Sequence, residues 1–182
     1  VFAGHNKLEE MLLVKDWKGV ALKDALAETL KVAPAPMRDG KPGFPLDGYV
    51  EAHIEQGPRL ENERKTIGVV TAIQGSRRYI VEIVGEEAHA GTTPRAARKD
   101  AFAAALRIAQ AMYEATTDKD DTLRFTIGRV DVGPGSPNTV PGKTSFTIDM
   151  RHPSDAMLEA HEKKLHEIVA AKAAPCSAAL ER

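Results

Sequence analysis

The sequence contains one cysteine, Cys176, in 182 residues, and few aromatic side chains. A single cysteine excludes an internal disulfide and a thiolate metal cluster. Aromatic residues make up 5% of the chain, too few to suggest platforms on which nucleic-acid bases stack. Charge of one sign is not in excess, because 25 basic residues face 26 acidic ones. We therefore expect no nucleic-acid partner.

Long apolar runs are also missing. No segment has the length of a membrane span or the pattern of a signal peptide, so we expect a cytoplasmic protein without a membrane partner. The length suits one domain with room for part of a second. The chain opens on Val1 rather than methionine, which indicates processing or further residues upstream.

The first part of the chain combines one helix with two short apolar runs. Apolar residues recur at helical spacing over 20–31, which predicts an amphipathic helix. Proline and glycine crowd 34–45, which predicts a loop. Runs 49–54 and 66–73 are predicted to be strands, and the second is apolar enough for a buried strand of an α/β domain. The Gly75-Ser76 pair then breaks the pattern, and we place a domain boundary there.

The second part, 75–182, alternates strands and helices. We predict strands over 78–84, 123–132, 144–150 and 176–180. Helical spacing predicts one helix from Pro94 to about Tyr113 and another after Ser154, an N-cap, to about Ala173. This order is that of a ferredoxin-like βαββαβ sandwich, an antiparallel sheet with both helices on one face. The predicted fold class is α+β, with this domain attached to an α/β segment, 1–74.

His53 is a candidate metal ligand. It lies at the end of the predicted strand over 49–54, stands just before a Gly-Pro break, and shares strand parity with Glu51 and Glu55. With regular pleating the three side chains would point to one face. A histidine among glutamates is more often an ordinary hydrogen-bonded residue, so both interpretations stay open.

His89 is a candidate catalytic residue. It precedes the turn Gly91-Thr92-Thr93-Pro94 and lies ahead of a predicted helix. A side chain held there can offer an N–H to a developing oxyanion. The alternative is a solvated loop histidine.

Asn138 and Arg151 are candidate substrate-binding residues. Asn138 lies in a Gly- and Pro-rich loop between two strands, where it either satisfies a turn or binds a substrate amide or carboxylate. Arg151 ends a strand, where a guanidinium can grip a carboxylate with two parallel N–H bonds, or is simply solvated. Arg77 and Arg78 add a basic pair at the start of the first strand of the second part.

Five motifs in this order resemble the dinuclear-metal amidohydrolases of the M20 peptidase clan, especially the group of N-carbamoyl-L-amino-acid hydrolases, allantoate amidohydrolases and β-ureidopropionases. They extend over most of the chain from Tyr49 onward. The motifs are His-Ile-Glu-Gln-Gly-Pro (53–58), Gly-Val-Val-Thr-Ala-Ile (68–73), His-Ala-Gly-Thr-Thr-Pro (89–94), Pro-Asn-Thr-Val-Pro-Gly (137–142) and Asp-Met-Arg-His-Pro (149–153).

The resemblance implies a role for each candidate. His53 matches a ligand of one of two divalent ions, zinc or in some members manganese. His89 matches a histidine that reaches into a neighbouring subunit and polarises the scissile carbonyl. Asn138 and Arg151 match residues that hold the substrate carboxylate, and Arg78 falls where allantoate-hydrolysing members have an extra arginine. The implied reaction is hydrolysis of a ureido C–N bond, with release of ammonia and carbon dioxide.

The resemblance also implies partners that this chain lacks. Relatives supply further ligands from a His-x-Asp strand, a Glu-Glu pair and a C-terminal histidine, and one ligand does not hold a catalytic zinc. We therefore interpret 1–74 as part of a catalytic domain and 75–182 as its lid and dimerisation domain, and we expect no activity from the chain alone. The other functions left open are a non-catalytic assembly domain and a module that binds a small molecule.

Overall fold

The computed structural model describes residues 1, 3–32, 43–117 and 121–182. By its internal contacts the chain divides into two units, Val1–Ile67 and Gly68–Arg182. No helix within these described ranges is long and apolar enough to cross a bilayer.

The first unit contains three helices, α1 (Leu8–Leu12), α2 (Leu22–Val32) and α3 (Arg59–Asn62). Helix α2 agrees with the predicted helix over 20–31. Ala21 is the one buried residue among those described in this unit. The apolar stripe of α2 therefore has no core to cover it within the described part of the unit. The predicted loop over 34–45 falls largely outside the described residues.

The two strands predicted over 49–54 and 66–73 do not form. Both segments are irregular and exposed, with Val50 at 97% and Ile73 at 93% of full exposure. A buried strand needs neighbouring strands to satisfy its N–H and C=O groups. None of the described strands pairs with either run. Apolar composition alone was an insufficient basis for that prediction.

The second unit is built on a four-stranded sheet. Its strands are β1 (Gly75–Val84), β3 (Arg124–Gly133), β5 (Lys143–His152) and β6 (Ser177–Glu181), in the spatial order β3-β5-β1-β6. Every pairing in it is antiparallel. A β-bulge lies in β3 between Ile127 and Arg129. The predicted mixed α and β architecture is confirmed.

Two helices, α4 (Ala101–Thr116) and α5 (Asp155–Lys172), pack against one face of this sheet. Alternation in the strands sends every second side chain toward them, so Tyr79, Val81 and Ile83 of β1 are buried. The core also includes the following residues: Ile108, Met112, Phe146, Ile148, Met150, Leu158 and Leu165. The opposite face of the sheet carries the polar residues of the candidate site.

Helix α4 begins later than predicted. The sequence placed its start at Pro94, but 95–97 forms only a 3₁₀ turn, and the α-helix begins at Ala101. The carboxylate of Asp100 accepts a hydrogen bond from the backbone N–H of Ala103 at 2.9 Å, as an N-cap does. The predicted cap of α5 is confirmed, since the Ser154 hydroxyl accepts from Met157 N–H.

A short ribbon, absent from the sequence prediction, carries two of the candidate residues. Strands β2 (Ala88–His89) and β4 (Thr139–Val140) pair antiparallel, with His89 opposite Thr139. The backbone N–H of Gly85 donates to Gly142 O at 2.8 Å, which fixes the ribbon at the end of β1 and the start of β5.

Candidate functional site

The ring of His89 is held by its own turn. Its Nδ1 atom accepts hydrogen bonds from the backbone N–H groups of Gly91 at 3.1 Å and Thr92 at 3.2 Å. In a neutral imidazole the accepting nitrogen carries no proton, so the proton is on Nε2. The exposed ring therefore presents Nε2–H as a donor.

Asn138 lies beside His89. Its backbone carbonyl oxygen accepts a hydrogen bond from the backbone N–H of Ala90 at 2.9 Å. The next residue, Thr139, is paired with His89 in the ribbon. The side-chain oxygen of Asn138 accepts from the Ser136 hydroxyl at 2.7 Å. That bond orients the side-chain amide, whose NH₂ group is a donor. The structure thus brings two predicted residues together and gives both a hydrogen-bond donor.

Two glycines allow this approach. A Cβ on Gly85 would lie 2.0 Å from the carbonyl oxygen of Lys99, and one on Gly142 would lie 2.6 Å from the side chain of Glu87. Neither distance accommodates a side chain, so only glycine lets the loops on either side of the ribbon lie this close.

The predicted arginines lie together at another place. The guanidinium of Arg151 donates to Asp149 through Nε at 2.6 Å and a terminal nitrogen at 3.1 Å. Arg78, directly across the strand pair from Asp149, donates to it through Nε at 3.2 Å. The hydrogen bond from Arg151, followed by that from Arg78, lowers the pKa of the Asp149 carboxyl. The hydrogen bond to Asp149 raises the pKa of Arg151.

Asp149 was missed as a site residue, although it stands two positions before Arg151 and shares its strand face. The same alternation separates Arg77 from Arg78. The side chain of Arg77 is 10% exposed and forms ion pairs with Glu159 and Glu162 of α5 on the helix face. Of the basic pair identified in the sequence, only Arg78 lies on the open face.

A trough of about 530 Å³ runs along the open face beside Asp149. Its lining includes the following residues from four strands: Arg78, Ile80, Thr126, Thr147, Asp149 and Glu181. The lining combines apolar surface, such as Ile80, with the charged side chains of Arg78, Asp149 and Glu181. Apolar surface with a few polar groups is the usual composition of a small-molecule site.

The two groups of residues lie at opposite ends of the sheet. Arg78 pairs with Asp149 near one end of the β1·β5 pair, and Val84 pairs with Lys143 at the other. The backbone rise between Arg78 and Val84 is about 20 Å, at about 3.4 Å per residue. His89 and Asn138 lie beyond Val84, so one small molecule does not contact both groups in the same chain.

His53 lies in the first unit, in an exposed irregular segment. Its Nδ1 is 2.6 Å from the carbonyl oxygen of Ile54. The carboxylate of Glu55 accepts hydrogen bonds from the backbone N–H groups of Arg59 and Leu60, at the start of α3. Within the described residues, no three His, Cys, Asp or Glu side chains cluster as metal ligands. These residues do not by themselves fit a dinuclear centre.

The described sheet has two helices on one face, a histidine-asparagine pair at one end and an arginine pair at the other. Residues 71–175 match the peptidase dimerisation domain of the M20 type. The chain belongs to the M20 peptidase family.

Its relatives in that family include amidohydrolases. The chain is 42% identical over 153 residues to allantoate amidohydrolase of Escherichia coli K12, covering 82% of this chain and 36% of that protein. It is 42% identical over 113 residues to N-carbamoyl-L-amino-acid amidohydrolase of Paenarthrobacter aurescens, covering 62% of this chain and 27% of that protein. The chain therefore spans about a third of the length of these curated relatives.

A solved structure in the same family has a similar fold. The crystal structure of a hydantoinase/carbamoylase family amidase from Burkholderia ambifaria matches with a TM-score of 0.76 and 36% identity. The match covers 100% of this chain and 44% of that one.

Proposed function

We propose that this chain provides the substrate-binding lid and the dimer contact of an enzyme that hydrolyses the ureido C–N bond of allantoate or an N-carbamoyl-L-amino acid. The observation that carries the proposal is the backbone clamp on His89 Nδ1, which presents Nε2–H beside the amide of Asn138. Both named relatives act on amides of compounds with a free carboxylate. The carbonyl of such a bond becomes an oxyanion when water adds to it.

The role of His89 is to donate Nε2–H to that oxyanion. A donor that is already oriented needs no rearrangement when the charge develops. Asn138 lies close enough to share the substrate, through its amide NH₂ group.

The role of Arg151, with Arg78 beside it, is to bind the substrate carboxylate. Asp149 accepts hydrogen bonds from Nε and one terminal nitrogen of the Arg151 guanidinium. The edge formed by the two terminal nitrogens faces away from that carboxylate. A planar fork oriented in this way suits the two oxygens of another carboxylate. Asp149 therefore orients the arginines rather than binding the substrate.

The arginine group and the His89–Asn138 group lie at opposite ends of one sheet, so we place them in one site through a two-fold dimer. The dimer contact is the edge strand β3. Antiparallel pairing of two β3 strands would place the arginine end of one copy at the same end of the joined sheet as His89 of the partner subunit. The ends of the two β5 strands would then be three strand spacings apart, about 14 Å. Dimerisation is in this view a condition for a complete site.

Exposed apolar residues lie along the proposed dimer seam, which consists of β3 and the neighbouring helix α4. Helix α4 exposes Phe102, Leu106 and Tyr113, and β3 exposes Val130 and Val132. Val130 is opposite Phe146, a core residue, which puts it on the helix face beside α4. Such an apolar patch is typical of an interface.

The edge of β3 also has a self-complementary charge pattern. Arg129 and Asp131 form an ion pair at 2.7 Å within the strand. A two-fold axis at Val130 would place Arg129 opposite Asp131 of the partner subunit, so unlike charges would meet across the pair. Tyr113 Oη accepts from Ile127 N–H before the bulge, so the stretch after the bulge is the part available for pairing.

The finer description of the fold belongs to the same proposal. The order β3-β5-β1-β6, antiparallel throughout and with both helices on one face, supports a ferredoxin-like lid over 75–182 attached to a partial catalytic segment, 1–74. A cytoplasmic location agrees with the single thiol.

Two divalent ions, zinc or manganese, belong to the proposed enzyme, with His53 as one ligand. The other ligands would come from parts of the enzyme that this chain does not span. When bound, such ions supply an acidified water as the nucleophile. The residues of this chain orient the substrate and stabilise the charge on its carbonyl oxygen.

Ammonia release tests the proposal. The full-length gene product, supplied with Zn²⁺ or Mn²⁺, is expected to hydrolyse allantoate or an N-carbamoyl-L-amino acid, and His89→Ala is expected to lower kcat about 100- to 1,000-fold. The chain alone is expected to release none. Unchanged turnover in His89→Ala would reject the assigned role, and a full-length product inactive on both substrates but dimeric would favour the assembly domain.

A further inference from the structure

The side chain of Arg98 reaches back to the turn that carries His89. It is partly buried, although it follows a 3₁₀ turn on the surface. Its Nε donates to the carbonyl oxygen of Thr93 at 2.9 Å, and a terminal nitrogen donates to that of Ala90 at 2.7 Å. One guanidinium thus joins two carbonyls of the same five-residue turn, and neither bond involves another side chain.

The bond to Ala90 has a consequence for the His89 ring. The carbonyl of Ala90 and the N–H of Gly91 belong to one peptide group, and that group is trans. In a trans peptide the C=O and N–H point in opposite directions. Arg98 therefore fixes one end of a rigid plane whose other end donates to His89 Nδ1 at 3.1 Å.

The bond to Thr93 closes the turn from the other side. The N–H of Thr93 donates to His89 O at 3.1 Å, and the N–H of Thr92 is the second donor to His89 Nδ1. Arg98 Nε holds the carbonyl end of Thr93. Arg98 thus contacts one of the two peptides that donate to the ring, Ala90–Gly91, and also holds the carbonyl at the end of the turn.

Glycine at position 91 makes this peptide easy to rotate. Without a Cβ, glycine has access to backbone conformations closed to other residues, so a flip of the Ala90–Gly91 peptide meets less steric resistance than it would with a side chain at position 91. A flipped peptide would turn the Ala90 carbonyl toward His89 Nδ1. That carbonyl would compete with the Thr92 N–H for Nδ1. In the rings where the carbonyl prevails, the proton is on Nδ1 and Nε2 is an acceptor, which cannot donate to an oxyanion.

We propose that Arg98 is a positioning residue that sets the tautomer of His89 by holding the Ala90–Gly91 peptide in one orientation. It acts through the backbone and does not touch the ring. The inference deepens the proposed role of His89 and rests on it for its effect on turnover, but the tautomer itself is independent of any activity.

The test is nitrogen NMR of the histidine rings in the chain, at a pH well above 7, with His89 assigned through a His89→Gln variant. In the unmodified chain the Nε2–H pattern is expected for His89. In Arg98→Ala the ratio of Nε2–H to Nδ1–H is expected to fall about tenfold, since a charged hydrogen bond that holds the peptide is lost. Arg107→Ala is the matched control, because Arg107 also donates to a backbone carbonyl, Ala174 O at 2.7 Å.

An unchanged ratio in Arg98→Ala, or a change no larger than in Arg107→Ala, overturns the proposal. If Arg98→Ala does not fold, the same comparison with Arg98→Lys decides, because a single ammonium lacks the fork that spans both carbonyls. The kinetic arm uses the full-length enzyme, where Arg98→Ala is expected to lower kcat at least tenfold with KM changed less than threefold. A shifted tautomer with unchanged kcat would reject the catalytic role of His89 and leave the positioning role intact.

Discussion

Asp149 accepts two hydrogen bonds from the guanidinium of Arg151, at 2.6 and 3.1 Å, and a third from Arg78 across the strand pair at 3.2 Å. The carboxylate lies between two cations on an otherwise open sheet face. It holds both arginine side chains at one end of the sheet. The edge formed by the two terminal nitrogens of Arg151 still faces away from Asp149.

This cluster makes stability depend on pH. Because the folded state lowers the pKa of Asp149, its contribution is fully present above its unfolded pKa, about 3.9, and is lost as the pH falls through the lower folded value. Asp149→Asn is expected to reduce the free energy of unfolding by about 1 kcal/mol at pH 7, a small figure because the arginines are exposed. Urea unfolding followed by circular dichroism measures it.

The control for Asp149 is a double-mutant cycle with Arg151→Gln. The coupling free energy between the two residues should be measurable at pH 7 and should fall as the pH drops below the lowered folded pKa of Asp149. A coupling independent of pH would mean that the interaction is not ionic.

Arg151→Lys in the full-length enzyme is expected to raise KM about 10- to 100-fold. A lysine keeps the charge but loses the two-pronged geometry, at about 1.5–3 kcal/mol for a charged hydrogen bond. Steady-state kinetics with allantoate and an N-carbamoyl-L-amino acid measure the change. Arg124→Lys is the matched control, since Arg124 is the β3 neighbour of Arg151 and bonds to Asp121. Equal KM values in the two variants would show that Arg151 does not bind the substrate carboxylate.

Leu106→Glu tests the dimer seam on α4. Leu106 is 55% exposed, and a carboxylate buried between two copies would lack a partner, so the dimer dissociation constant is expected to rise at least about 30-fold. Analytical ultracentrifugation across a concentration series gives the constant. The matched control is Met157→Glu, an exposed apolar residue of α5, which should leave it unchanged. A chain that is monomeric at high micromolar concentration before any substitution contradicts the proposed dimer.

Mixed dimers test whether His89 acts across the interface. In the full-length enzyme, homodimers of His89→Ala and of His53→Ala are each expected to have strongly reduced turnover. Mixing them should restore activity in the heterodimers, where His89 of one subunit meets the intact metal site of the other. If His89 acts within its own chain, no mixture regains turnover.

Gly85→Ala tests the close approach that supports the ribbon. The new Cβ would lie 2.0 Å from Lys99 O, and the backbone there is held by Gly85 N–H to Gly142 O and Glu86 N–H to Lys99 O. We expect a loss of about 3 kcal/mol in the free energy of unfolding. Gly128→Ala is the control, because its nearest atom is Thr147 Oγ1 at 4.0 Å. Similar losses in the two variants would show that the contact at Gly85 is not restrictive.

The sequence by itself determined the four longer strands and the two helices of the second unit, and which face of β1 is buried. Alternation in β1 placed Tyr79 and Val81 in the core, and Ser154 marked the start of α5, because period and capping are local properties of the chain. The motifs likewise identified the family. The later start of α4 also has a local signal, since Asp100 is a good N-cap.

The tertiary structure decided which predicted residues meet. It joined His89 to Asn138 and Arg151 to Arg78, and it separated these two groups, because antiparallel register sends residues far apart in sequence to the same end of a sheet. It also left 66–73 exposed despite its apolar composition, since a strand forms only where a neighbour pairs with it. The orientation of the His89 ring likewise depends on backbone groups whose directions no residue pattern specifies.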